Sequence, residues 1–242
     1  MIGLGTVINI LSVALGGAIG AVMGHRLKQD SRLLTTDVLG LVTGLSAVLS
    51  ARAVLSSDLE AAVGKTWPLF IVLGSLLVGG LIGTVLRIEE RLENAGEWLK
   101  RRFARSESSF VEGFLSASLV FCIGPLAIMG AFDDALGLGI DKLVLKSVLD
   151  FFAAIAFAAS LGWGVAASAL AVGVYQGALT VAGFALGSIW SVPQIDAMTA
   201  VGGLLLMGIS LRLLNIKSIA IGNLLPALFL APVFVQLIVR FS

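Results

Sequence analysis

Eight stretches of this chain are long, apolar and nearly free of charge: 2–24, 37–54, 67–86, 110–131, 144–162, 163–185, 197–214 and 218–239. A run of about 20 apolar residues is the length of a helix that crosses a bilayer. In hydrocarbon no water satisfies backbone N–H and C=O groups, so a spanning chain of this pattern must satisfy them within helices. Composition agrees: 58% of the 242 residues are hydrophobic and only 13% charged, with a mean hydropathy of +1.04. Soluble domains run near 25% charged. The sequence therefore predicts an all-α, polytopic transmembrane bundle of about eight spans, forming a single integral membrane domain over 1–242 in contact with the lipid bilayer. The first span lacks a basic leader and is followed by further spans, so it reads as a membrane helix rather than a signal peptide.

Several functions are excluded at this level. A net charge of +1 offers no basic surface, so no nucleic-acid partner is expected. One cysteine and one histidine provide neither a disulfide framework nor a paired zinc motif. No cofactor is expected, and a metal is left open. The stretch GGAIGAVMG (16–24) has the glycine density of a phosphate loop but lacks its lysine and lies within a span. His25, beside Arg26, reads as an interfacial anchor, and no nucleophile–base arrangement is visible. The chain is not expected to be an enzyme.

Orientation follows from the loop charges. With the N-terminus outside, the cytoplasmic loops hold eleven basic residues: Arg26, Lys28, Arg32, Arg87, Arg91, Lys100, Arg101, Arg102, Arg105, Arg212 and Lys217. The outside keeps five, namely Arg52, Lys65, Lys142, Lys146 and Arg240. The expectation is a membrane protein with both termini outside. Between the third and fourth spans, 87–105 is densely charged, yet Ile88, Leu92, Ala95, Leu99 and Phe103 recur at helical spacing. That pattern is an amphipathic helix on the cytoplasmic interface.

Internal likeness appears twice. LGGAIGAVM (15–23) and VGGLIGTVL (78–86) share both paired glycines, Ile19/Ile82, Gly20/Gly83 and Val22/Val85. Small residues at such spacing serve close helix packing, within the chain or between copies in a homo-oligomer. More faintly, Asp37, Gly44 and Arg52 are spaced much as Asp196, Gly203 and Arg212. Either spans 1–3 and 6–8 are inverted repeats, a common transporter build, or two Gly/Leu-rich helices resemble each other by chance.

Polar residues inside spans are the strongest functional signal, because hydrocarbon offers a charge neither water nor hydrogen bonds. Counted from the outer end at 1.5 Å per residue, Asn9, Asp150 and the Gly124-Pro125 pair lie roughly 10 Å deep, and Gln176, beside Tyr175, slightly deeper. Proline frees a carbonyl one turn earlier, so the fourth span is expected to kink or break at Gly124-Pro125, as the eighth is at Pro226 and Pro232. These features from separate helices imply one polar site. Singly, Asn9 and Gln176 read equally as interhelical glue, and Lys146, at i−4 from Asp150, either pairs with it or releases it to a ligand. Asn223, with Ser210 and Asn215, marks a second polar locus toward the cytoplasm. Asp133, Asp134 and Asp141 stand in an outer loop that either gathers cations or is merely solvated.

The segments GLGTVIN, GGAIG, EGFLSASLVFCIGPLAIMGAFDD, KSVLD, YQGALT and NLLPAL together resemble the YqgA/YdfK-like bacterial membrane protein family, a domain of unknown function numbered 554. The resemblance runs over nearly the whole chain and implies a polytopic inner-membrane protein, without an activity. It also implies a glycine after the KSVLD aspartate. Phe151 stands there instead, which leaves a close backbone approach at that point without its small residue. The expected function is a secondary transporter or permease for a cation, proton-coupled, or for another small polar solute. Its site would comprise Asp150, Lys146, Asn9, Gln176, Tyr175, Gly124, Pro125 and Asn223. An oligomeric ion channel, or a structural or signalling membrane protein docking partners through 87–105, are the alternatives.

Overall fold

The structure is a computed structural model of the chain and describes residues 2–24, 28–103, 108–123, 125–186 and 190–241. Among these residues there are helices and no strands. In order they are α1 (Leu4–Gly24), α2 (Gln29–Ala51), α3 (Ser57–Val63), α4 (Trp67–Val85), α5 (Ile88–Phe103), α6 (Phe110–Cys122), α7 (Pro125–Ala135), α8 (Asp141–Leu161), α9 (Gly164–Leu186), α10 (Val192–Leu213) and α11 (Pro226–Phe241). Short 3₁₀ turns cover Arg52–Leu55 and Ile221–Leu224. Among the described residues seven helical segments are long and apolar enough to cross a membrane, and α6 with α7 makes an eighth if the bent pair is one span.

Helix ends follow local chemistry. Gly162, at φ 81°, closes α8 and lets α9 begin at Gly164. Asn215 adopts the left-handed conformation at φ 55° and ends α10. Its N–H donates to the Arg212 carbonyl, and the Ile216 N–H to that of Leu211, which satisfies carbonyls a helix end leaves open. Asn215, placed by its sequence in a polar locus, thus serves as a helix cap. α2 begins at Gln29 rather than at 37, because hydropathy marks the apolar part of a helix and not its hydrogen-bonded start. Pro226 opens α11 after the 3₁₀ turn, where a missing N–H costs nothing. Pro232 alone lies inside that helix.

The sequence reads as one membrane domain; the helices pack into two compact units. The first comprises 1–41 and 92–189, the second 42–91 and 190–242. Neither unit coincides with spans 1–3 or with spans 6–8. The aspartates that suggested an inverted repeat also differ in surroundings: Asp37 is exposed, whereas Asp196 accepts a 2.6 Å hydrogen bond from Ser56.

In the first unit α1 lies along α8 with small residues at the seam. A methyl group at Gly16, Gly20 or Gly24 would overlap the backbone carbonyl of Phe151, Ile155 or Ala159. The close approach at Phe151 is therefore supplied by Gly16 across the interface. In the second unit the similar motif of α4 sets Gly79 against the Ala227 backbone and Gly83 against the Asn223 carbonyl. Both glycine faces are filled by the chain's own helices. What α1 exposes instead is Val7, Leu11, Leu15 and Val22, each more than half accessible. Such a surface suits lipid.

α5 forms where an amphipathic helix is expected. Leu99 is buried in a cluster with Phe110, Phe114 and Leu115, and Leu92 packs on its edge. Trp98 is 64% exposed. In the second unit α10 is the most buried span, with Ala47 and Ala51 of α2 against Gly203.

Candidate functional site

α8 turns Leu143, Lys146, Ser147, Asp150, Ala154 and Phe157 inward, while Leu145, Val148, Leu149 and Phe152 are exposed. Helical spacing thus places both charged residues on the face away from lipid. Lys146 and Asp150 form an ion pair across one turn, and both are buried, at 6% and 9% exposure. The lysine does not snorkel outward. It is spent inside the unit.

α1 and α9 bring the amides to this pair. Asn9 Nδ2 donates to Gln176 Oε1 at 2.8 Å, and the Asn9 side chain neighbours the Asp150 carboxylate. Both amide residues are fully buried. Asn9 Oδ1 and Gln176 Nε2 nevertheless have no hydrogen-bond partner. Buried polar atoms are nearly always paired, so one unmet acceptor beside one unmet donor is unusual. Toward the N-terminal end of α1, the Thr6 and Thr180 hydroxyls meet at 3.1 Å, and Thr180 donates to the Gln176 carbonyl at 2.9 Å. The sequence reading missed both threonines. Their signal was helical spacing: Thr6 stands at i−3 from Asn9 and Thr180 at i+4 from Gln176, on the same helix faces.

The broken span adjoins this cluster. α6 ends at Cys122, whose thiol lies in electrostatic range of Lys146 and Asp150. α7 starts at Pro125, and the pair bends by 62°. The expected break is present, although Gly124 itself lies outside the described residues. Tyr175 is half-buried in electrostatic range of Cys122, and its hydroxyl has no hydrogen-bond partner. Of the predicted site, Asn9 is bonded to Gln176 and Lys146 is paired with Asp150, all four within the first unit. Among the described residues no group of three His, Cys, Asp or Glu side chains could hold a metal ion.

Of the three acidic residues around the α7–α8 connection, Asp141 is exposed while Asp133 and Asp134 have partners. Asp134 is 3% exposed and accepts the Gly3 and Gly5 N–H groups at 3.1 and 3.0 Å. It caps α1 from a distant helix, as the free N–H groups at a helix start require. Asp133 pairs with Lys142 at 2.5 Å.

Asn223 belongs to the second unit and to different chemistry. Its side-chain oxygen accepts the Glu89 N–H at 2.9 Å. The Glu89 carboxylate takes the Arg212 guanidinium and the Gly222 N–H, each at 2.5 Å, while Arg212 also donates to the Ile219 carbonyl at 2.7 Å. In the sequence Arg212 reads as a loop charge and Glu89 as one charge of the amphipathic 87–105 stretch. Together they fasten the broken segment ahead of α11.

A helical chain with span-length apolar helices and an ion pair buried among them is a multi-span membrane protein. The chain belongs to the family described as Protein of unknown function (DUF554), whose model matches residues 4–236. It is 32% identical over 238 residues to "Uncharacterized membrane protein YdfK" of Bacillus subtilis (strain 168), covering 98% of each chain. It is 31% identical over 234 residues to "Uncharacterized protein YqgA" of Escherichia coli (strain K12), covering 94% of each. No solved structure matches it.

Proposed function

We propose that this protein is a small secondary transporter or permease, a carrier and not an enzyme, that binds a small polar solute or ion in the first unit. Asp150 and Lys146 would hold charge, and Asn9 and Gln176 would supply amide contacts. Tyr175 and the α6–α7 break would border the site. The observation carrying this reading is the buried Lys146–Asp150 pair beside two amides with unmet hydrogen-bonding atoms. Buried ion pairs are a poor source of stability, since apolar replacements are often neutral or stabilising by about 1–4 kcal/mol. A pair kept at such a place is better explained by a ligand that exchanges with it. Broken helices at a buried polar site are a recurrent carrier construction.

The charge distribution supports an inner-membrane protein with both termini outside and α5 on the cytoplasmic face. The test is flux into liposomes holding the purified chain, following protons, monovalent cations and small polar solutes. A protein-dependent, saturable flux that Asp150→Asn abolishes supports the proposal. An unchanged flux in that variant defeats it.

A further inference from the structure

We infer that this site takes a small, net-neutral zwitterion of the α-amino-acid class, with its ammonium on Asp150 and its carboxylate on Lys146. The inference rests on the permease reading and adds the substrate class.

Charge balance is the first ground. A lone cation drawn to Asp150 would strand the Lys146 ammonium, and a lone anion on Lys146 would strand the carboxylate. A stranded charge at a buried site is costly. A zwitterion inserted into the pair turns one ion pair into two and leaves no charge unmatched. Binding and release then proceed without a net buried charge. No proton, electron or co-reactant is consumed.

The unmet atoms are the second ground. Asn9 contributes a free acceptor and Gln176 a free donor, both on fully buried side chains. An ammonium on Asp150 has further N–H groups for Asn9 Oδ1, and a carboxylate on Lys146 has further lone pairs for Gln176 Nε2. A bare metal ion would leave the Gln176 donor unmet, and an inorganic anion the Asn9 acceptor.

The experiment is thermal unfolding of the detergent-solubilised full chain at fixed ionic strength. The probes are glycine, alanine and serine, against methylamine, acetate, acetamide and sodium chloride. A ligand that binds the folded state raises the melting temperature with its concentration. The zwitterions are expected to do so while the single-charge and neutral probes do not. An Asn9→Leu/Gln176→Met variant is expected to lose at least tenfold in apparent affinity. A rise with methylamine, acetate, acetamide or sodium equal to that with the zwitterions overturns the substrate class and leaves the permease reading standing. No rise with any probe also overturns the inference, and the permease reading is then judged by the flux of the Asp150→Asn protein. The ligand panel on the unaltered chain decides the matter even if the variant fails to fold.

Discussion

Asn9 of α1 and Gln176 of α9 lie 167 residues apart in sequence and share a 2.8 Å hydrogen bond between fully buried amides. The bond joins α1 and α9 and uses only part of each amide's capacity. A pair that served purely as interhelical glue would be expected to saturate itself. The prediction for the ion pair follows from the same neighbourhood.

Asp150→Asn leaves the Lys146 ammonium without its counter-charge. Breaking a buried pair in this way costs about 3–5 kcal/mol at most, so a lowered melting temperature is expected in a protein that still folds. Lys146→Met/Asp150→Leu removes both charges and should recover the lost stability. Transport should be absent from both variants. If the double variant still transports in liposomes, the pair is architecture.

Gly20 and Gly177 form a matched test of packing. Either change to alanine gains up to about 1 kcal/mol of helix propensity. At Gly20 the new methyl group would overlap the Ile155 carbonyl, while at Gly177 nothing lies within 4 Å. Gly20→Ala should therefore be destabilising by about 1–3 kcal/mol net, and Gly177→Ala neutral or slightly stabilising. Thermal melts of the two variants side by side give the answer.

Glu89→Gln removes the charge from an acceptor that serves both Arg212 and the Gly222 N–H. Arg212, only 13% exposed at its side chain, is left partly unmatched, and a loss of about 3 kcal/mol is expected. Arg212→Gln combined with it should cost less than the sum of the single changes. A double-mutant cycle by unfolding measures that coupling; additive losses would show that the two side chains do not act together.

Asp134→Ala deletes the distant cap on α1. Loss of a capping acceptor costs about 1–2 kcal/mol, and the damage should be local. Amide hydrogen exchange is expected to quicken at Gly3, Gly5 and the next turn of α1, with α8 and α9 little affected. Unchanged exchange at those amides would mean that Asp134 does not hold the helix start.

Fold class was legible because hydropathy is a property of each residue in its own neighbourhood. Runs of apolar residues near the length of a bilayer span have few solutions, and glycine and proline mark where helices stop. Thus the break before Pro125, the turn at Gly162 and the amphipathic α5 could all be read directly.

Pairing could not be read that way, because it depends on how each helix is rotated and which helix lies beside it. Asp134 looks like a loop acid but caps α1. Glu89 looks like one charge of a solvated face but meets Arg212, 123 residues away. Thr6 and Thr180 carried only the weak signal of sharing a helix face with the amides. For the opening pair, sequence alone determined that Asn9 and Gln176 are polar amides within apolar helices of a membrane bundle. Only tertiary structure decided that they face each other and leave an acceptor and a donor unmet beside Asp150, because an amide's partners are set by contacts between helices distant in the chain.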